Sequence, residues 1–158
     1  MTVDDTATLA TFAASGFILL VAHNLADHVT GQTDSQADNK AAPTPDEVAA
    51  GANPHQGWPA ILAHVARYHV TLVVLGLLAW LVLPLHWSVL GVVLALAWSA
   101  ATHAPLDRRW PVRWLLENTG SPKFANLNIG GLNGMYAADQ ALHWLALAVS
   151  AVLLAVVR

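Results

Sequence analysis

Four segments of this chain are each apolar over about 20 residues, the length that an α-helix needs to cross the hydrocarbon core of a bilayer. They cover about residues 8–29, 59–83, 86–106 and 134–157. Charged residues make up only 11% of the 158 residues and hydrophobic residues 56%, whereas a soluble domain carries roughly 25% charged residues. The sequence therefore predicts an all-α integral membrane protein, a four-helix bundle that forms a single domain over 1–158.

Two long connections, about residues 32–57 and 108–133, separate the predicted helices, while Pro84-Leu85 forms a short turn between the second and the third. The first connection is polar and rich in Ala and Pro, so we expect a mostly irregular loop. In the second, WPVRWLLEN predicts a short interfacial helix. Both connections hold or adjoin most of the positive charges, namely Lys40, Arg67, Arg108, Arg109, Arg113 and Lys123, whereas Arg158 lies at the other end. Because Lys and Arg collect on the cytoplasmic side, we expect cytoplasmic loops and outside termini in the inner (plasma) membrane.

Histidine and aspartate occur four residues apart on three of the predicted helices. The pairs are His23 with Asp27, His103 with Asp107, and Asp139 with His143. Residues four apart share one helical face, and the up-and-down order of the helices places every pair at the same membrane face. In each pair the histidine is the deeper residue. The sequence thus predicts a deep layer of His23, His103 and His143, joined by His64 from the second helix, under a layer of Asp27, Asp107 and Asp139.

Ionisable groups inside a membrane are costly and are kept where they pair or carry out chemistry. Imidazole and carboxylate together suit Zn, Mn or non-haem Fe, and helical bundles hold such ions between facing helices. We therefore expect one or two divalent ions. The candidate metal ligands are His23, Asp27, His64, His103, Asp107, Asp139 and His143. The candidate catalytic residues are Asp27, Asp107 and Asp139, because a carboxylate left out of the ligand set can act as a general base.

Other interpretations remain open at this point. The His–Asp pairs can hold the bundle together by hydrogen bonds alone, and haem ligation is a further alternative. We expect His69 to face elsewhere, and His28, His55 and His86 to be interfacial or loop residues without a ligand role. Arg67, Arg108 and Arg109 are candidates for binding an anionic headgroup or phosphate, or they simply anchor the chain at the cytoplasmic face. A net charge of -3 predicts no nucleic-acid partner.

The same residues carry a resemblance. The stretch His23-Asn-Leu-Ala-Asp27, followed by Gln32-Thr33-Asp34 and Asn39-Lys40, resembles the opening signature of a family of small bacterial and phage membrane proteins, domain of unknown function number 3307. The likeness continues through His64, His103-x-x-x-Asp107 and Asp139-Gln140-x-x-His143, and it departs at an Ala/Pro-rich insert, 41–57. The resemblance implies no established activity. It adds Gln32, Asp34, Lys40 and Gln140 as candidates near the site, with Gln32 and Gln140 as donors that orient the ligands and Lys40 as a contact for an anionic substrate or headgroup.

A weaker likeness, in architecture and in the His-x-x-x-Asp pairs, is to bacterial inner-membrane metal-dependent hydrolases. The leading hypothesis is therefore a membrane metal-dependent hydrolase that acts on a lipid or an amphipathic ester or phosphoester. The alternative is a non-catalytic membrane module, encoded by a phage or another mobile element, that binds a host membrane protein complex. Transport along the polar layer is disfavoured because residues 71–83, 89–96 and 145–157 are almost entirely apolar. Gly76 and Gly91 permit close helix contacts, within one chain or in a homo-oligomer.

Overall fold

The computed structural model describes residues 2–158. Within them, four long helices are joined by shorter elements, and the predicted all-α four-helix bundle is confirmed. In chain order the elements are α1 (Val3–Leu25), a π-helical turn (Ala26–Thr30), α2 (Asp34–Asn39), α3 (Pro45–Ala49), α4 (Trp58–Val82), α5 (Val89–Asp107), α6 (Trp110–Asn118), α7 (Pro122–Ala125), β1 (Asn128–Ile129), β2 (Leu132–Asn133) and α8 (Gly134–Val156). The two strands form a small antiparallel hairpin.

Capping residues move several boundaries away from the predicted ones. Helix α1 begins earlier than expected because Thr2 and Asp5 form a capping box at its N-terminus. Helix α5 begins later, because Ser88 accepts a hydrogen bond from the backbone N–H of Gly91. The prediction of a mostly irregular loop over residues 32–57 was wrong in part, since capping boxes begin the short helices α2 and α3 inside it. The segment WPVRWLLEN is helical, as predicted, and forms α6.

The inward face of α5 shows how the bundle is packed. Its buried residues recur every four positions, with small side chains in the first half and larger ones near the C-terminus: Gly91, Ala95, Ser99, His103 and Asp107. Small residues allow helices in a membrane to approach closely. At Gly91, for example, an added Cβ would lie 3.1 Å from the backbone oxygen of Leu153 on α8. The bundle is therefore narrow at the Gly91 end, and the large polar side chains occupy the other end.

Each of the four long helices is long and apolar enough to cross a membrane. Large apolar side chains such as Leu81 and Val89 point outward and are exposed, as lipid-facing residues are. Both termini lie at the same end as the turn between α4 and α5, because the Arg158 guanidinium donates to Thr8 Oγ1 at 3.0 Å and Ser88 donates to the Val157 carbonyl at 2.8 Å. The two long connections lie at the opposite end.

Candidate metal centre

Polar side chains from every long helix meet at the end of the bundle that carries the long connections. Helix α1 and its π turn supply His23 and Asp27, α4 supplies His64 near its start, and α5 supplies His103 and Asp107 near its end. Helix α8 supplies Asp139 and His143. All of these residues except Asp139, which is half-buried, are shielded from solvent. The structure therefore brings together the histidine and aspartate residues that their spacing singled out.

Four ligand atoms within this group, here called the tetrahedron, lie close together, and five of their six separations are those of a small tetrahedral site. His64 Nε2 lies 3.0 Å from His103 Nε2 and 2.9 Å from Asp107 Oδ2. Asp27 Oδ1 lies 3.3 Å from His64 Nε2 and 3.5 Å from His103 Nε2, and His103 Nε2 lies 3.3 Å from Asp107 Oδ2. Tetrahedral zinc, with bonds of about 2.0–2.1 Å, separates its ligand atoms by about 3.3–3.4 Å. These separations match the edges of such a site.

The hydrogen bonds of the His64 and His143 rings leave one nitrogen lone pair of each ring available within the cluster. His64 Nδ1 donates to the Gly31 carbonyl at 3.1 Å, and His143 Nδ1 donates to the Asp139 carbonyl at 2.9 Å. The Nε2 atoms of both rings therefore keep their lone pairs, which is how proteins orient metal-binding histidines. His143 Nε2 lies 3.8 Å from Asp107 Oδ1. A second choice of ligands, Asp27, His103, Asp107 and His143, also offers four atoms within 4.8 Å of one another.

Three buried atoms of the cluster are unsatisfied. Asp27 Oδ1, Asp139 Oδ1 and His143 Nε2 have no hydrogen-bond partner within residues 2–158. A buried polar atom without a partner costs roughly 1–3 kcal/mol, so such atoms call for an explanation. Asp27 Oδ1 lies 3.3 Å from His64 Nε2 and 3.5 Å from His103 Nε2, which are separations expected of atoms that bind one cation. Neither contact has the geometry of a hydrogen bond. The donor set therefore fits a metal ion better than it fits a network of hydrogen bonds.

The π turn at the end of α1 positions two parts of the cluster. It contains Asp27, and its closing hydrogen bond runs from the Gly31 N–H to the Ala26 carbonyl at 2.7 Å. The Gly31 carbonyl then receives the proton of His64 Nδ1. Gln32 Nε2 donates to the backbone carbonyl of Asp27 at 2.6 Å, so Gln32 holds the turn rather than the carboxylate. Single π turns within helices often mark functional sites.

His23 lies beside the tetrahedron rather than at one of its corners. Its Nε2 donates to Gln140 Oε1 at 3.1 Å, and its Nδ1 accepts from the Tyr68 hydroxyl at 3.2 Å. The nearest oxygen of Asp27 is 3.7 Å away. Both ring nitrogens are thus occupied, and His23 supports the ligands by packing against the His143 ring at 5.2 Å between centroids. Sequence reasoning missed Tyr68, although it lies four residues after His64 and so shares its helical face.

A polar cleft of about 290 Å³ opens above the carboxylates. Its lining includes Asp27, Asp107, Asp139, Lys40 and Arg109. The buried Lys40 ammonium lies 2.7 Å from Asp107 Oδ2. Gln140, also in the lining, places its Nε2 3.4 Å from Asp139 Oδ2. The lysine and glutamine that the resemblance pointed to therefore contact carboxylates of the site, whereas Asp34 is exposed on α2.

Of the three predicted anion-binding arginines, Arg67 and Arg108 lie away from the cleft and only Arg109 lines it. Arg67 is exposed on α4. Arg108 is buried, and its Nη1 donates to the backbone carbonyls of Lys40, Ala41 and Gln56 while its guanidinium lies 5.1 Å from the centre of the Trp58 ring. Burial lowers the pKa of this guanidinium from its usual value, but an arginine keeps its charge. Arg108 thus fastens the loop of residues 32–57 to the bundle, and Arg109, which lines the cleft, is the residue that faces the site.

The remaining histidines lie outside the cluster. His55 and His86 are exposed. His28 is exposed at the edge of the cleft, where its Nε2 accepts from the Tyr136 hydroxyl at 2.6 Å. His69 is half-buried and its Nδ1 donates to the Val65 carbonyl at 2.8 Å. None of these four belongs to the group that could hold a metal ion within residues 2–158.

Comparisons with known proteins give no relative for this arrangement. No protein-family model, curated protein or solved structure matches the chain.

Proposed function

We propose that this protein is a membrane-embedded metal-dependent hydrolase. The observation that supports this is the tetrahedron of His64 Nε2, His103 Nε2, Asp27 Oδ1 and Asp107 Oδ2, in which five of the six separations are 2.9 to 3.5 Å. These four residues would hold the ion. Tetrahedral coordination by nitrogen and oxygen favours zinc over manganese, which prefers octahedral oxygen sites. When bound, such an ion supplies Lewis acidity and activates a coordinated water as a nucleophile.

Asp139 is the proposed general base. It lines the cleft next to Asp107, and its Oδ1 is buried with no hydrogen-bond partner in the described part of the chain. Gln140 Nε2, 3.4 Å from Asp139 Oδ2, orients the carboxylate. In the reaction, Asp139 takes a proton from the attacking water and returns it to the departing alcohol as the ester bond breaks. Water is thereby added across one bond, and no oxidant or reductant is needed.

The proposed substrate is a lipid or another amphipathic ester or phosphoester. The cleft lies where α1, α5 and α8 approach the long connections, so a molecule held in the bilayer can present its polar end to the carboxylates. Exposed Trp58, Trp110 and Trp114 lie near the same end, as expected of residues at a membrane interface. We propose that this end faces the cytoplasm across the inner membrane, as the distribution of Lys and Arg predicts.

Metal content and hydrolysis test the proposal together. Protein purified in detergent and dialysed against zinc should retain about one zinc ion per chain, and His64→Gln and His103→Gln should each lose it. His55→Gln is the matched control, since His55 is exposed in a loop. The metal-loaded protein should hydrolyse a member of a panel of carboxylic and phosphoric esters, with Asp139→Asn inactive but still metal-bound. Zinc retention by the His64 and His103 variants would remove the mechanism.

One observation favours the alternative, a non-catalytic module in which the cluster is a structural staple. The Lys40–Asp107 ion pair links the loop of residues 32–57 to the bundle and neutralises one carboxylate without any ion. A ligand that binds only the folded protein raises its unfolding temperature. The staple alone therefore predicts the same unfolding temperature with and without zinc, and deletion of residues 41–57 would then abolish co-purification with a membrane partner. Membership of the family to which the chain has a resemblance stays a prediction.

A further inference from the structure

We propose that the cleft recognises the phosphate group of a phosphoester, through Lys40 and Arg109, once the metal ion is bound. This inference rests on the proposed function and narrows its substrate class. From the sequence, Lys40 is one of several candidates near the site and Arg109 is one of three candidate anion-binding arginines. The structure separates them from the other cations, because Lys40 and Arg109 both line the cleft above the metal ligands.

The charge of the cleft depends on the ion. Three carboxylates, those of Asp27, Asp107 and Asp139, face the two cations Lys40 and Arg109. Counted over these five side chains, the lining carries one net negative charge. A divalent ion reverses it to one net positive charge. The metal-free cleft therefore repels anions, and the loaded cleft attracts them.

The Lys40 ammonium is paired with one of the candidate metal ligands. Its Nζ lies 2.7 Å from Asp107 Oδ2, the same oxygen that lies 2.9 Å from His64 Nε2 and 3.3 Å from His103 Nε2. A metal ion held by those atoms would balance the charge of Asp107 and disfavour the ammonium at this oxygen. The backbone of Lys40 would stay in place, because its carbonyl accepts from Arg108 Nη1 at 3.3 Å. The ammonium would then remain in the lining of the cleft without its pairing to Asp107.

Arg109 adopts a backbone conformation that is rare for its residue type. Its φ of 64° is the positive value that non-glycine residues adopt only under constraint. Such strain concentrates at functional sites. The conformation occurs where α5 ends and α6 begins, and it separates two neighbouring arginines: Arg108 is buried against the loop, whereas Arg109 is exposed at the cleft. An exposed guanidinium beside a metal site is suited to a planar, doubly hydrogen-bonded oxyanion.

These features select among ester classes. A carboxylic ester is neutral and leaves the ammonium and the guanidinium without a partner of opposite charge. A phosphate group carries charged oxygens that accept from both, and charge-assisted hydrogen bonds of this kind are the strong ones. The same chemistry belongs to a lipid headgroup and to a water-soluble phosphoester, so the experiment must separate these two sources.

The primary test is calorimetric titration of inorganic phosphate into the detergent-solubilised protein, zinc-loaded and zinc-free. We expect binding to the loaded protein alone. Arg109→Gln and Lys40→Gln should each weaken it by about tenfold or more. Lys123→Gln should not, because Lys123 is exposed on α7 away from the cleft. Lys40 is buried and its side chain links the loop to the bundle, so loss of binding in its variant does not separate recognition from folding. The exposed Arg109 therefore provides the decisive variant, with its zinc content measured in the same sample.

Two further arms identify the source of the phosphate and keep the two proposals apart. Vesicles of phosphatidylcholine with and without phosphatidic acid test whether the cleft binds a lipid headgroup. Glycerol phosphate tests whether it binds a water-soluble phosphoester. Metal-dependent binding of either one supports the proposal. Phosphate binding without any hydrolysis also supports it, while the proposed hydrolase fails. Two results would overturn the phosphate proposal without affecting the proposed hydrolase. One is cleavage of a neutral carboxylic ester at a rate unaffected by Arg109→Gln. The other is phosphate binding with the same affinity in wild type, Arg109→Gln and Lys40→Gln.

Discussion

Replacing Gly31 by alanine should weaken zinc binding, although residue 31 contributes no side chain to the cluster. A Cβ at this position would lie 2.4 Å from the Ala26 carbonyl oxygen, and real Cβ contacts are essentially never under 3.0 Å. The π turn must therefore move by at least the difference, 0.6 Å. Functional sites tolerate displacements of about 0.5 Å. The movement reaches Asp27 within the turn and His64, whose Nδ1 donates to the Gly31 carbonyl.

Loss of such an orienting contact typically lowers metal affinity by about 10- to 100-fold, or about 1.4–2.7 kcal/mol. Competition between the protein and a chromophoric zinc chelator in detergent measures this directly. Gly16→Ala, in α1, is the matched control, because its Cβ would only reach ordinary contact, 3.8 Å, with Ala151. A folded Gly31→Ala protein with zinc affinity within about twofold of wild type, well below the change expected for such a contact, would refute the reasoning.

Three other changes have defined outcomes. Asp107→Asn leaves the buried Lys40 ammonium unpaired and should lower the free energy of unfolding by about 3–5 kcal/mol in denaturant titrations. Its control, Glu117→Gln, breaks the exposed Arg113–Glu117 pair at 3.3 Å and should lower it by less than about 1 kcal/mol. Equal effects would contradict the buried pairing. Tyr68→Phe removes one hydrogen bond to an imidazole outside the tetrahedron, so it should cost about 1 kcal/mol and leave the zinc content, measured by elemental analysis, unchanged. Because the chain has no cysteine, Asp38→Cys and Arg158→Cys should react with an impermeant maleimide from opposite sides of the membrane, and labelling of both from one side would reject the four-span topology.

The spans could be predicted because length and apolar character decide whether a helix crosses a membrane. The convergence of His23, Asp27, His103 and Asp107 could be predicted as well, since a spacing of four places residues on one helical face and consecutive spans cross the membrane in opposite directions. Those arguments predict the depth of each side chain in the bundle to within one helical turn. They do not resolve which imidazole nitrogen lies within 3.5 Å of which oxygen.

The remaining details depend on contacts between distant parts of the chain. The spacing predicts that His23 and His103 are both metal ligands. The ring nitrogens of His23, however, form hydrogen bonds with Tyr68 and Gln140, which lie 45 and 117 residues away in sequence. Nothing local to Lys40 indicates that it pairs with a carboxylate at the end of α5. Arg108 contacts the loop whereas Arg109 lines the cleft, and this difference accompanies a single positive φ angle at Arg109, which composition and periodicity do not predict.

The short helices of the first connection are a different case, because their signals were present in the sequence. Thr33 with Gln36 and Thr44 with Glu47 have the spacing of capping boxes. The abundance of Ala and Pro made the segment look irregular. Local hydrogen bonds between side chain and backbone were sufficient to begin a helix on each side of residues 40–44.

The most direct test of the central claim is a crystal structure of zinc-treated protein with diffraction recorded at the zinc absorption edge. The account predicts an anomalous peak enclosed by His64 Nε2, His103 Nε2, Asp27 Oδ1 and Asp107 Oδ2, with the Lys40 ammonium displaced from Asp107. A zinc-treated crystal with no peak among those four atoms, and with the Lys40–Asp107 ion pair unchanged at 2.7 Å, would contradict it.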